Sequence, residues 1–109
     1  MTWLHLLSYF FGGVFLGNAV PHLVSGMTGR PFQSPFAKPP GEGLSSATVN
    51  ILWGFFNLVV GYVLVCRVGQ FDLRIAAQIG SLGLGLLLIG LFSARHFGRL
   101  HGGDLREHP

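Results

Sequence analysis

Apolar positions come in three long runs along this chain, and the runs are marked out by missing charge. No Asp, Glu, Lys or Arg occurs before Arg30, none between Glu42 and Arg67, and none between Arg74 and Arg95. The gaps hold 29, 24 and 20 residues, each rich in Leu, Val, Ile and Phe. A helix crossing the hydrocarbon core needs ~20 mainly apolar residues, because each residue rises ~1.5 Å and the core is ~30 Å thick. All three runs meet that requirement. They predict an all-α membrane protein, a three-transmembrane-helix bundle forming one integral membrane domain over residues 1–109, with spans at about 2–24, 44–66 and 75–97. The polar tail, 98–109, is expected to be mobile.

Punctuation residues refine these elements. Ser45, Ser46 and Thr48 are N-cap candidates for the second span, and Asp72 for the third. Pro21 removes a backbone hydrogen bond near the end of the first span and should kink or end that helix. The 67–74 connection is so short that spans 2 and 3 are expected to form an antiparallel hairpin. The connection from Ser25 to Gly43 carries Pro31, Pro35, Pro39 and Pro40, a density that excludes helix. Its Phe32 and Phe36 are expected to dip into the membrane interface, with the prolines holding an extended cover over the bundle end.

Small residues recur inside the spans. Gly13 and Gly17 form a Gly-x-x-x-Gly pair in the first, and Asn50, Gly54, Asn57 and Gly61 make one stripe in the second. Ala76, Gly80, Gly83, Gly90 and Ala94 make another in the third, with Leu87 filling its gap. Helices in lipid associate through close backbone approach and interhelical hydrogen bonds, so each stripe is an expected packing face. Three helices make a thin bundle, and a homo-oligomer or a subunit of a larger membrane complex is therefore expected.

Polar residues converge at one end. Asn18 and His22 share a face near the end of span 1, Asn50 opens span 2 at the same end with Asn57 two turns deeper, and span 3 finishes there with Arg95, His96 and Arg99. Intramembrane polar groups are costly and mark candidate sites, so Asn18, His22, Asn50 and Asn57 are the candidate ligand-binding residues. The competing account is structural, with Asn bridging helices and His22 serving backbone freed by Pro21. Haem ligation by His22 and His96 meets a geometric objection. At ~100° per residue His96 lies roughly 160° around the helix from Ala94, so it would face headgroups if the Gly stripe faces inward. His101, Asp104 and His108 lack a zinc spacing. No metal and no cofactor is expected.

Composition agrees with these readings. Half the residues are hydrophobic and only 10% charged, against about a quarter charged in soluble domains. The net charge of +3 is scattered, without the basic patch that nucleic acid requires. The first run lacks a positive n-region and an A-x-A-like site, and it is read as a retained span rather than a signal peptide. Cys66 is the single cysteine, which excludes an internal disulfide. Basic residues flanking the spans number five at the loop 1 and C-terminal end (Arg30, Lys38, Arg95, Arg99, Arg106) against Arg67 and Arg74 at the other. That bias predicts an outside N-terminus and a cytoplasmic C-terminus; the expected location is a bacterial inner (plasma) membrane. No carboxylate lies in a span, and no nucleophile or phosphate-loop motif occurs. The expected function is a non-enzymatic accessory or oligomer-forming membrane component, the alternative being binding or transport of a small amphipathic molecule at the polar cluster.

Overall fold

A computed structural model describes residues 2–103. It contains α1 (Trp3–Met27), β1 (Phe32–Gln33), β2 (Leu44–Ser45), α2 (Ala47–Cys66) and α3 (Ala76–His101). All three helices are long and apolar enough to cross a membrane. At ~1.5 Å per residue α1 and α3 reach almost 40 Å, more than the ~30 Å that a hydrocarbon core requires.

The burial pattern is compatible with an apolar solvent. Among the described residues the buried polar ones are His22, Gln33, Ser34, Asn50, Asn57 and Gln78, whereas the buried hydrophobic ones are Tyr9, Ala19 and Val65. Leu, Val, Ile and Phe cover the outside from Leu4 to Leu100. In water this arrangement would expose a large apolar surface. In lipid it costs little, and the polar groups have every reason to turn inward.

The helix at the centre is α1. It packs on both α2 and α3, which barely touch one another. The expected hairpin of spans 2 and 3 is thus corrected: their connection is short, but α1 fills the space between them. Contacts fix the directions. Gly12 of α1 meets Gly61 and Val65 of α2, whereas Gly26 meets Ala47 and Ile51, so these helices run antiparallel. Leu6 meets Ser81, Phe10 meets Gly85, and Gly17 meets Ile89, so α1 and α3 run parallel.

Close approach explains most of the glycines on these faces. A Cβ on Gly13 would collide with the Leu82 carbonyl oxygen of α3, and one on Gly17 would lie 2.5 Å from Ile89 Cγ2. Gly54 and Gly61 of α2 receive Leu23 and Leu16 of α1, which a Cβ would meet at 2.8 and 2.6 Å. The third stripe needs correcting. A Cβ on Gly80, Gly83 or Gly90 would meet nothing within 4 Å, so these residues do not pack inside the three helices. The inward face of α3 carries Gln78, Ser81 and Gly85 instead, with Gly85 against the Phe10 carbonyl and Ser81 Oγ donating to Leu6 O at 2.6 Å. On the other side of α1, Ser8 Oγ donates to Leu64 O of α2 at 2.6 Å.

Helix ends also differ from expectation. Pro21 does not end α1, which continues to Met27. Ser46 caps α2, its side chain accepting from Val49 N at 3.1 Å. Asp72 does not cap α3; its carboxylate accepts from Arg74 N in the preceding turn, and Ile75 holds the N-cap position with no side-chain bond. The first four residues of the supposed tail are helix. Gly98–His101 belong to α3, which stops at Gly102, a left-handed residue with φ +78 where a Cβ would be strained. Asp104, Arg106, Glu107 and His108 lie outside the described residues.

The proline-rich loop is folded rather than extended. β1 and β2 pair antiparallel, Phe32 with Ser45 and Gln33 with Leu44, which brings the loop back across the bundle end. Ser34 ties it internally, its hydroxyl 2.6 Å from that of Ser45 and its carbonyl accepting from Gly41 N. The two phenylalanines part company. Phe32 turns inward onto His22 and Phe97, whereas Phe36 stays exposed beside Trp53.

Candidate functional site

The structure brings Asn18, His22, Asn50 and Asn57 together on the α1–α2 seam as two hydrogen-bonded pairs. Helix periodicity explains the pairing. Asn18 and His22 are one turn apart on α1, as are Gly54 and Asn57 on α2, and the absent side chain at Gly54 lets the two polar faces meet. Deeper in the span, Asn18 Nδ2 donates to Asn57 Oδ1 at 3.1 Å, and Asn57 Nδ2 donates to Trp53 O of its own helix at 2.8 Å. Nearer the end, His22 Nδ1 lies 2.6 Å from Asn50 Oδ1. That oxygen can only accept, so the proton sits on Nδ1.

Asn50 joins three elements. It is fully buried, and its Nδ2 lies within 3.2 Å of the carbonyls of Phe32, Ser45 and Ser46. One amide therefore connects α1, through His22, to both loop strands and to the start of α2. Its amide protons and carbonyl oxygen are committed to protein partners.

Aromatic rings enclose the imidazole of His22. Phe32 of the loop stands edge-on at 5.4 Å, Trp53 of α2 at 6.4 Å and Phe97 of α3 at 6.5 Å. The enclosure extends along α3. His101 packs on Phe32 and donates from Nε2 to Gln33 Oε1 at 2.8 Å. His96 is not turned out to headgroups as the stripe argument required; its Nε2 lies 2.6 Å from Gly41 O of the loop. Phe32 belongs to the loop expected to cover this end, whereas Gln33, Trp53, Phe97 and His101 are not marked by the sequence as part of the assembly. Gln33 and Phe32 gave no periodic signal, because a two-residue strand is too short to show one. His101 looked like tail. Among the described residues, the Trp53 indole N–H is the buried side-chain polar atom with no partner.

Most polar atoms of this assembly are committed: His22 Nδ1, the Asn18 amide and both ends of the Asn50 and Asn57 side chains bond to one another and to backbone. The exceptions are His22 Nε2, which with the proton on Nδ1 keeps its lone pair, and Asn18 Oδ1. Among the described residues no group of three or more His, Cys, Asp or Glu side chains could hold a metal. Cys66 is exposed and unpaired. Fold and site together define a three-helix protein of membrane-spanning dimensions whose polar end is closed by a folded loop. The chain matches no protein-family model, no curated protein and no solved structure.

Proposed function

We propose that this is a non-enzymatic integral membrane component, a three-transmembrane-helix bundle that self-associates through the outer face of α3. One contrast supports the reading. Gly13, Gly17, Gly54 and Gly61 are filled by neighbouring helices, while Gly80, Gly83 and Gly90 lie along α3 with open space where a Cβ would be. Small residues on a lipid-facing helix give up dispersion contacts with no gain inside the monomer, and a second backbone at close range recovers them. A homo-oligomer is the simplest occupant, and a larger membrane complex would use the same face. The closed polar end supports a structural role for Asn18, His22, Asn50 and Asn57 over a catalytic one. Helical spans fit the inner rather than the outer membrane of a bacterium, where closed barrels are the rule. Arg30, Lys38, Arg95 and Arg99 against Arg67 and Arg74 favour an outside N-terminus and a cytoplasmic loop 1.

Disulfide cross-linking in native membranes tests the association. In a Cys66→Ser background, Gly83→Cys and Gly90→Cys should give dimers on mild oxidation, and Val63→Cys on the outer face of α2 should not. Monomers throughout, or equal cross-linking at all three positions, would defeat the proposal.

A further inference from the structure

We propose that the loop-side end of α3 is a binding site for one anionic phospholipid. A groove of about 360 Å³ runs along this helix, lined by Leu88, Leu91, Phe92, Arg95, His96 and Arg99. The spacing places all six on one side of the helix over about 16 Å. Their chemistry changes sharply along that length. The first three are apolar and about half-exposed, which suits an acyl chain, and the last three carry two guanidiniums and an imidazole, which suit a phosphate headgroup.

The polar end is assembled rather than incidental. Arg99 Nη2 lies 3.3 Å from His96 Nδ1, and a guanidinium can only donate, so Nδ1 accepts. The ring proton is then on Nε2 and donates to Gly41 O of the loop. His96 also stacks on Phe92, with ring centroids 5.6 Å apart and planes within 4°. These contacts fix the imidazole from two sides and orient the Arg99 fork. Among the described residues neither Arg95 nor Arg99 has a carboxylate partner, so most of their N–H groups are available to an anion. A phosphodiester offers the paired oxygens that Arg binds best. The groove lies on a different side of α3 from Gly80, Gly83 and Gly90, so lipid binding and self-association through that stripe do not compete.

The test is a lipid titration of the full chain in detergent, followed by native mass spectrometry, with phosphatidylglycerol and phosphatidylcholine as probes. A basic side chain at the membrane surface is worth about a fivefold preference for an anionic lipid, so two predict a roughly 25-fold tighter first adduct for phosphatidylglycerol. The Arg95→Gln/Arg99→Gln variant, checked for helicity by circular dichroism, should bring that ratio near one. Arg67→Gln/Arg74→Gln at the opposite end should leave it intact. A ratio unchanged in the first variant overturns the proposal, as does equal loss in both, which would reflect net charge alone. Displacement of the lipid by millimolar inorganic phosphate would also overturn it, since the chain-binding half of the groove would then contribute nothing.

Discussion

Asn50→Ala is the substitution with the largest consequence that the structure allows to be worked out. It removes the acceptor of a buried His22 Nδ1–H at 2.6 Å and a donor shared among three carbonyls within 3.2 Å. The carbonyl of Ser46 keeps its helical bond from Asn50 N, so the loss falls on His22 and the loop. A buried donor left without a partner costs about 1–3 kcal/mol. The interhelical bond itself is worth about 0.6 kcal/mol on average and up to about 1.7. Together they place Asn50→Ala at roughly 2–4 kcal/mol of destabilisation. Asn57→Ala is the internal reference. It breaks one bond to half-buried Asn18 and one within its own helix, for about 1 kcal/mol. Unfolding titrations in mixed micelles would measure both, with hydrogen exchange at the Gln33, Gly41 and Gly43 amides as a second readout. Asn50→Ala should speed loop exchange and Asn57→Ala should not. In a double-mutant cycle, His22→Ala and Asn50→Ala should couple by about 1 kcal/mol or more. Two variants within about 0.5 kcal/mol of each other, with loop exchange unchanged in both, would refute Asn50 as the link between loop and helices.

Two further predictions concern packing and topology. Gly85→Leu should force α1 and α3 apart, because even a Cβ collides with the Phe10 carbonyl, and should destabilise by about 3 kcal/mol or prevent folding. Gly83→Leu, with open space at that position, should leave monomer melting within about 0.5 kcal/mol of wild type while weakening self-association; melting curves and cross-linking yields measure the two effects. In a Cys66→Ser background, Lys38→Cys and Val68→Cys, both exposed, should react with an impermeant thiol reagent from opposite sides of the membrane. Labelling of both from one side would show that α2 does not cross.

Three elements were legible in the sequence because a helix long and apolar enough to span a membrane leaves a charge-free gap, and the gaps bounded by Arg30, Glu42, Arg67, Arg74 and Arg95 fall on α1, α2 and α3. The α2 face was legible for a related reason. Asn50, Gly54, Asn57 and Gly61 combine polar and small residues at helical spacing, and all four are buried. The loop was not legible, because proline density excludes helix without distinguishing an extended strap from the folded β1–β2 pair. The inner face of α3 does not follow from its small residues. An apolar helix in lipid can carry glycine on either side, and only the polar residues are obliged to turn inward. Gln78 and Ser81 supplied that signal, and Gly85 continues their face at helical spacing.

The same reasoning accounts for His96. Measured around the helix at ~100° per residue, it lies roughly 160° from Ala94 and only about 20° from Gly85. Setting the Gly80–Gly83–Gly90 stripe inward sends His96 to the outside. Setting Gln78, Ser81 and Gly85 inward brings His96 to the bundle side, where it reaches Gly41 and closes the loop onto α3. One choice of face therefore decides two things together: which helix surface is left for a partner, and whether the loop is anchored to α3 as well as to Asn50. Polar residues should outrank glycine when that choice is made in a membrane helix, because a misplaced glycine forfeits only contact, whereas a misplaced amide or hydroxyl is left in hydrocarbon without a bond.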